Sequence, residues 1–498
     1  MNELKKRASG VLMHISSLPG KYGIGTMGKE ARAFVDRLAA SGQSYWQILP
    51  VGPTSFGDSP YQSFSTFAGN PYFIDPEILC SEGFLFSDEI ENENWGSDEL
   101  NVDYGLLYEK RGKMFRSVYE HFSKNIPADF ENFCRENAFW LEDYALFMAI
   151  KDEHGGKAFG TWEDGIKRRE ESALCDWKKK CVCGTEYYKM LQYFFFKQWN
   201  SLKKYANDCG IKIIGDIPIY VSADSSDVWA SPDQFCLDKN YNPVEVAGCP
   251  PDGFSATGQL WGNPVYNWDL MEKDNYSWWK KRVEMSLKIY DILRIDHFRG
   301  FDSYYCIPFG SPDARNGKWR TGPGMKLFRA LASSLGEMPI IAEDLGFLTD
   351  SVKALLKDSG FPGMKLLQFA FDSREQSDYI PYKYDKNCVV YTGTHDNDTI
   401  LGWSKTASPE DVKTAMTYLR VNNADSLRCE MMIAALSSVA NTCVLTMQDL
   451  IGLGSEARMN TPSTLGTNWK WRASSEQLFD AQNWETLEFY TKLYGRSR

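Results

Sequence analysis

Eight short runs of apolar, β-branched or aromatic residues recur along this chain, each closed by turn residues and most followed by a helical period. They cover 11–15, 45–49, 211–217, 289–295, 339–342, 364–369, 388–391 and 443–447. A strand followed by a helix cannot return as a hairpin; the helix carries the chain back so that the next strand lies parallel. Eight such units predict an α/β fold, a (β/α)8 TIM barrel with helical insertion subdomains.

Several of the intervening helices have readable ends. Ala31, Phe34, Val35, Leu38 and Ala39 make an i, i+3, i+4, i+7, i+8 stripe that stops at Gly42, so one face of that helix should be buried. Ser408 precedes Pro409 with acids at 410 and 411, which reads as a cap, a first helical proline and a charge-complemented first turn. Thr349 and Gly360 bracket Val352, Leu355 and Leu356, and the helix bearing Tyr188, Leu191, Phe195 and Leu202 ends at Gly210.

The spacing of the strands sets the domain organisation. One catalytic barrel domain over 1–498 is expected, with a helical insertion subdomain at 70–185 between the second and third strands. A long loop or insertion is expected at 222–285 after the third strand, where 246–264 is dense in Gly and Pro. The charge-rich stretches 167–171 and 178–180 are expected to be solvated helix surface.

Composition narrows the function classes. A net charge of -11 argues against nucleic acid or an anionic membrane surface as partner. The 16 Trp, 26 Tyr and 29 Phe suit a sugar-binding cleft, and equally a large aromatic core. Twelve Cys lack the paired spacing of a zinc site, the close pair Cys181 and Cys183 standing alone, and so are expected to be free thiols in a reducing compartment. No run of about 20 apolar residues is present for a bilayer, and no apolar segment follows the charged MNELKKR start, so no signal peptide is expected. A cytoplasmic protein without metal or cofactor is the expectation.

Three of the strands end in acids: Asp296 in DILRIDHFRGF (291–301), Glu343 in PIIAEDLG (339–346) and Asp396 in CVVYTGTHDND (388–398). Barrel strands deliver their catalytic groups at their C-terminal ends, so the three should share one mouth. Glycoside chemistry needs one ionised and one protonated carboxyl. Arg294, two residues from Asp296, favours the ionised form there, whereas the apolar surroundings of Glu343 favour the neutral form. The alternative for Arg294 and Asp296 is an ion pair that merely closes the barrel. His395 and Asp396 can both reach one sugar if the chain turns at Gly393; otherwise they are a satisfied histidine and a capping acid.

With these acids, the ordered strings HISSLPG (14–20), YGIG (22–25), GDSPYQSF (57–64), GDIPIYV (215–221), PPDGF (250–254), GQLWGNP (258–264), QDLIGLG (448–454) and RMNTP (458–462) run nearly end to end. The sequence closely resembles the 4-alpha-glucanotransferases (amylomaltases or disproportionating enzymes) of glycoside hydrolase family 77, in the alpha-amylase clan. The resemblance implies Asp296 as nucleophile, Glu343 as acid/base and Asp396 as the third acid, with Arg294 and His395 holding the sugar. It further implies Tyr61, Ser59, Asp216, Asp252, Phe254, Gln259 and Trp261 along the donor and acceptor subsites. Asn267 departs from the family pattern, in which Asp is commoner. The implied activity is retaining transfer of alpha-1,4-glucan segments among maltooligosaccharides and starch- or glycogen-derived glucans. The alternatives are an alpha-glucan hydrolase of the same clan, an inactive glucan-binding protein and a metal-dependent barrel lyase.

Overall fold

Parallel strands covered by helices on one side and packed side chains on the other bury both faces, which is why the eight apolar runs lack strand alternation. The computed structural model describes residues 3–498 apart from 56, 252–254, 347 and 375. Among the described residues there are twelve strands: β1 (Ala8–Leu12), β2 (Tyr45–Gln47), β3 (Lys212–Ile217), β4 (Glu245–Cys249), β5 (Gln259–Pro264), β6 (Ile292–Ile295), β7 (Ser303–Pro308), β8 (Lys318–Thr321), β9 (Ile340–Ala342), β10 (Gly363–Leu366), β11 (Cys388–Tyr391) and β12 (Thr442–Thr446). Eight form one parallel sheet in the order β10-β11-β12-β1-β2-β3-β6-β9. The Ala342 amide donates to the Pro362 carbonyl at 3.0 Å, which brings the last strand back to the first and closes the (β/α)8 barrel.

These eight are the eight expected strands, with shifted ends. β1 begins three residues early because Ala8, Ser9 and Gly10 are buried without being strongly apolar. Of its expected C-terminal part, Met13 and His14 leave the strand and Ile15 opens a 3-10 turn, Ile15–Ser17. Helix Lys29–Ala40 buries Ala31, Phe34, Val35 and Leu38. Thr349 and Ser408 cap their helices through the amides of Val352 and Asp411, and Gly360 ends its helix at φ 72°.

One expectation fails. The Gly/Pro-rich stretch 246–264 is not simply a long loop: β4 and β5 pair antiparallel within it, and with β7 and β8 they make a second sheet in the order β5-β4-β7-β8. Gly248 explains the misreading. A Cβ there would stand 2.1 Å from the Gln259 carbonyl, so the glycine marks close strand approach and not a turn. Asn267 caps helix Trp268–Lys273 through the Leu270 amide, a task Asp would also perform.

Between β2 and β3 the chain is largely helical, ending in the long helix Val182–Asp208 that feeds β3. Two glutamines on that helix fasten the loop after β2. Gln192 accepts from the Gly69 amide at 2.7 Å and donates to the Gly69 carbonyl at 2.9 Å. Gln198 does the same for Asp75, at 2.7 and 3.2 Å. A side chain at Gly69 would strike the Phe195 ring, at 2.0 Å. This clamp holds the chain at Gly69 and Asp75, downstream of Ser59 and Tyr61.

Candidate active site

Asp296, Glu343 and Asp396 follow β6, β9 and β11, so all three stand at the C-terminal mouth of the barrel. Arg294 connects two of the acids' surroundings. Its Nη1 lies 2.5 Å from Asp216 Oδ2 and 3.1 Å from Asp296 Oδ1. Asp216 is wholly buried on β3, and its Oδ2 also accepts from the Tyr61 hydroxyl at 2.9 Å. The buried partner of Arg294 inside the barrel is thus Asp216, whereas Asp296, with 30% of its side chain exposed, opens to the cleft.

Glu343 is held by backbone amides. His297 donates to its Oε2 at 2.6 Å and Leu345 to its Oε1 at 2.9 Å. Burial pushes both Asp296 and Glu343 above the usual carboxyl range, and their mutual repulsion adds to the rise at Asp296. Arg294 opposes that rise at both acids, and the two amides oppose it at Glu343. Arg294 thus favours the charged Asp296 as the sequence implied, but burial is the larger influence.

Asp396 reaches the same mouth because Thr392, Gly393 and Thr394 turn the chain after β11, with Asn397 accepting from the amide and hydroxyl of Thr394, each at 2.9 Å. His395 Nε2 lies 3.3 Å from Asp396 Oδ1. Burial lowers the His395 pKa and so opposes a charged ring beside that carboxylate. Tyr61 stacks on His395 with centroids 5.0 Å apart, and Trp469 tilts against both.

Residues 13–477 match the family described as 4-alpha-glucanotransferase. The chain belongs to that family. A 4-alpha-glucanotransferase from Clostridium butyricum is 49% identical over 486 residues, covering 97% of this chain and 100% of that protein. One from Streptococcus pneumoniae is 50% identical over 496 residues, covering 99% and 98%. Among solved structures, the amylomaltase from Streptococcus agalactiae in complex with acarbose matches with a TM-score of 0.96 at 45% identity, covering 99% of this chain and 100% of that one.

The remaining residues singled out as 4-alpha-glucanotransferase subsites fall into three groups. Ser59 accepts at 3.3 Å from the amide of Tyr61, whose hydroxyl donates to Asp216. Gln259 and Trp261 lie on β5, where Gln259 accepts from the Trp261 indole at 3.0 Å and Trp261 meets His297 edge-on at 4.9 Å. Asp252 and Phe254 lie outside the described residues.

Sequence reasoning assigned no role to Arg458 and Asn460. Asn460 donates from its side chain to Asp396 Oδ1 at 2.6 Å and from its backbone to the His395 carbonyl at 3.0 Å. Arg458 donates to the Asp396 carbonyl at 2.6 Å and to the Asn460 carbonyl at 2.9 Å. The string RMNTP was the available signal, but nothing local to it points 64 residues back to Asp396. Among the described residues, no group of three or more His, Cys, Asp or Glu is placed to hold a metal ion.

Proposed function

We propose that this protein is a 4-alpha-glucanotransferase that transfers alpha-1,4-glucan segments between maltooligosaccharides by a retaining double displacement. The observation that carries the mechanism is the link between the two acids: the residue directly after Asp296 donates its amide to Glu343. Arg294 touches Asp296 with a full positive charge, whereas the groups bonded to Glu343 are neutral amides. We assign the charge of the pair to Asp296, whose carboxylate Arg294 touches directly, and the proton to Glu343.

Glu343 gives that proton to the glycosidic oxygen as the Asp296 carboxylate bonds to the anomeric carbon and the C–O bond breaks. The fragment ending in a reducing sugar leaves with its new 4-hydroxyl. An incoming glucan then surrenders its 4-hydroxyl proton to Glu343 while its oxygen displaces Asp296. Asp396 and His395 hold hydroxyls of the sugar between the acids, and Tyr61 offers it a ring face. Two displacements retain the configuration and restore the enzyme.

Transfer over hydrolysis requires that an acceptor sugar, and not water, meet the intermediate. Trp261 on β5 supplies an aromatic face for that acceptor. Starch- or glycogen-derived glucans are substrates of the same chemistry. The cytoplasm, a reducing compartment, suits twelve cysteines that form no disulfide; no helix among the described residues is long and apolar enough to cross a membrane. Incubation with maltotriose tests the proposal: glucose plus a ladder of longer oligomers is expected, and glucose plus maltose without lengthening would identify a hydrolase.

A further inference from the structure

His297 touches both the acid/base and the acceptor side of the cleft. It lies between Asp296 and the 3-10 turn Phe298–Phe301 and adopts the left-handed conformation, φ 55° and ψ 47°. Residues with a side chain avoid that region, because Cβ crowds the following carbonyl. Here the conformation has a visible consequence: the chain leaves the β6 direction at once, and the His297 amide reaches Glu343 Oε2 at 2.6 Å. The imidazole is held from two sides. Trp261 meets it edge-on at 4.9 Å and an interplanar angle of 89°. On another side lies Gly300, where even a Cβ would come within 3.1 Å of the ring. The Gly300 amide donates to the His297 carbonyl at 2.9 Å and completes the turn. Burial lowers the imidazole pKa to about 3, so the ring enters this contact uncharged.

We propose that His297 is a positioning residue whose side chain, braced by Trp261, maintains the backbone conformation that aims its amide at Glu343, coupling the acceptor side of the cleft to the acid/base. Trp261 belongs to the second sheet and Glu343 to the barrel, and His297 bridges them. A sugar lodged against Trp261 tightens the brace and with it the hydrogen bond to Glu343. The inference rests on Glu343 being the acid/base.

The other groups facing Glu343 are Arg294 and Asp296 from the β6 side, Asp344 beside it, and the Tyr379 hydroxyl. None of these changes in the test. His297→Gly keeps free access to the left-handed region and removes only the braced ring. We compare its kcat/KM with that of the unaltered enzyme on maltotriose, whose leaving group needs a proton, and on alpha-maltosyl fluoride, whose fluoride leaves without one. A loss of about tenfold on maltotriose and less than about twofold on the fluoride is expected. Losing an amide donor favours the neutral Glu343, so the alkaline limb of the maltotriose profile should move up by on the order of one pH unit. Trp261→Ala should move that limb in the same direction.

Equal losses on both substrates, or an alkaline limb that stays in place in either variant, would overturn the proposal. Activity on the fluoride also reports that the variants fold. Glu343→Gln separates the two failures: it should lose maltotriose activity and keep fluoride activity. If it is equally impaired on both, the acid/base reading itself falls; if it discriminates and His297→Gly does not, only the coupling falls.

Discussion

Asp216 on β3 and Arg294 on β6 are register partners in the barrel and close an ion pair of 2.5 Å, with 0% and 3% of their side chains exposed. A pair so removed from water is costly to break, because Arg294 is then left with only the partly exposed Asp296 as counter-ion, at 3.1 Å. Asp216→Asn should therefore lower unfolding free energy by about 3–5 kcal/mol in urea denaturation. Asp396→Asn, at a half-exposed side chain, should cost less than about 1 kcal/mol. Similar losses in the two variants would show that the pair does not support the barrel.

The nucleophile assignment predicts a different pattern for Asp296. An amide cannot form the glycosyl ester, so Asp296→Asn should lose transfer from maltotriose by about a thousandfold or more. Hydrolysis should fall with it, since both proceed through the same intermediate. Retention of either activity would remove Asp296 from the reaction.

Asn460 holds Asp396 without being one of the three acids. Asn460→Ala frees the Asp396 carboxylate to rotate, and misplacing a positioned group by about 1 Å costs roughly a hundredfold. We expect kcat on maltotriose to fall about 10- to 100-fold with the circular dichroism spectrum unchanged. A kcat within twofold of the unaltered enzyme would mean that Asp396 does not depend on Asn460 for its orientation.

His14 supplies a pH test of stability. Its Nδ1 accepts from the Leu49 amide at 3.2 Å, its ring packs edge-on to Phe73, and burial lowers its pKa to about 3. The unfolded chain protonates this histidine near pH 6.5, and the folded protein resists protonation until about pH 3. Its contribution is thus complete above pH 6.5 and is lost as the pH falls through that window. His14→Asn, which offers an acceptor oxygen and does not titrate, should flatten the dependence by about 1.4 kcal/mol per pH unit between roughly pH 6 and 4. Parallel stability curves for the two proteins would refute this.

Much of the architecture was legible because its signals are local. Strand, turn and helix periods repeat within a few tens of residues, and an acid directly after a strand stands at the mouth whatever its neighbours are. β4 and β5 escaped the same reading, since glycine at 248 is required there by a carbonyl across the strand pair and not by the chain around it. β1 was displaced for a related cause: burial on both faces lets Ala8, Ser9 and Gly10 serve in a strand without an apolar pattern.

The residue order by itself determined that eight strands would line up in parallel and carry Asp296, Glu343 and Asp396 to one rim. Only the tertiary structure decided how those acids are held: Arg294 pairs more closely with Asp216, 78 residues earlier, than with Asp296; Asn460 and Arg458 return to Asp396; and the His297 amide finds Glu343. Each of these contacts depends on strand register and loop path between distant segments. A local pattern specifies which way a side chain points, but not what the rest of the fold brings to meet it.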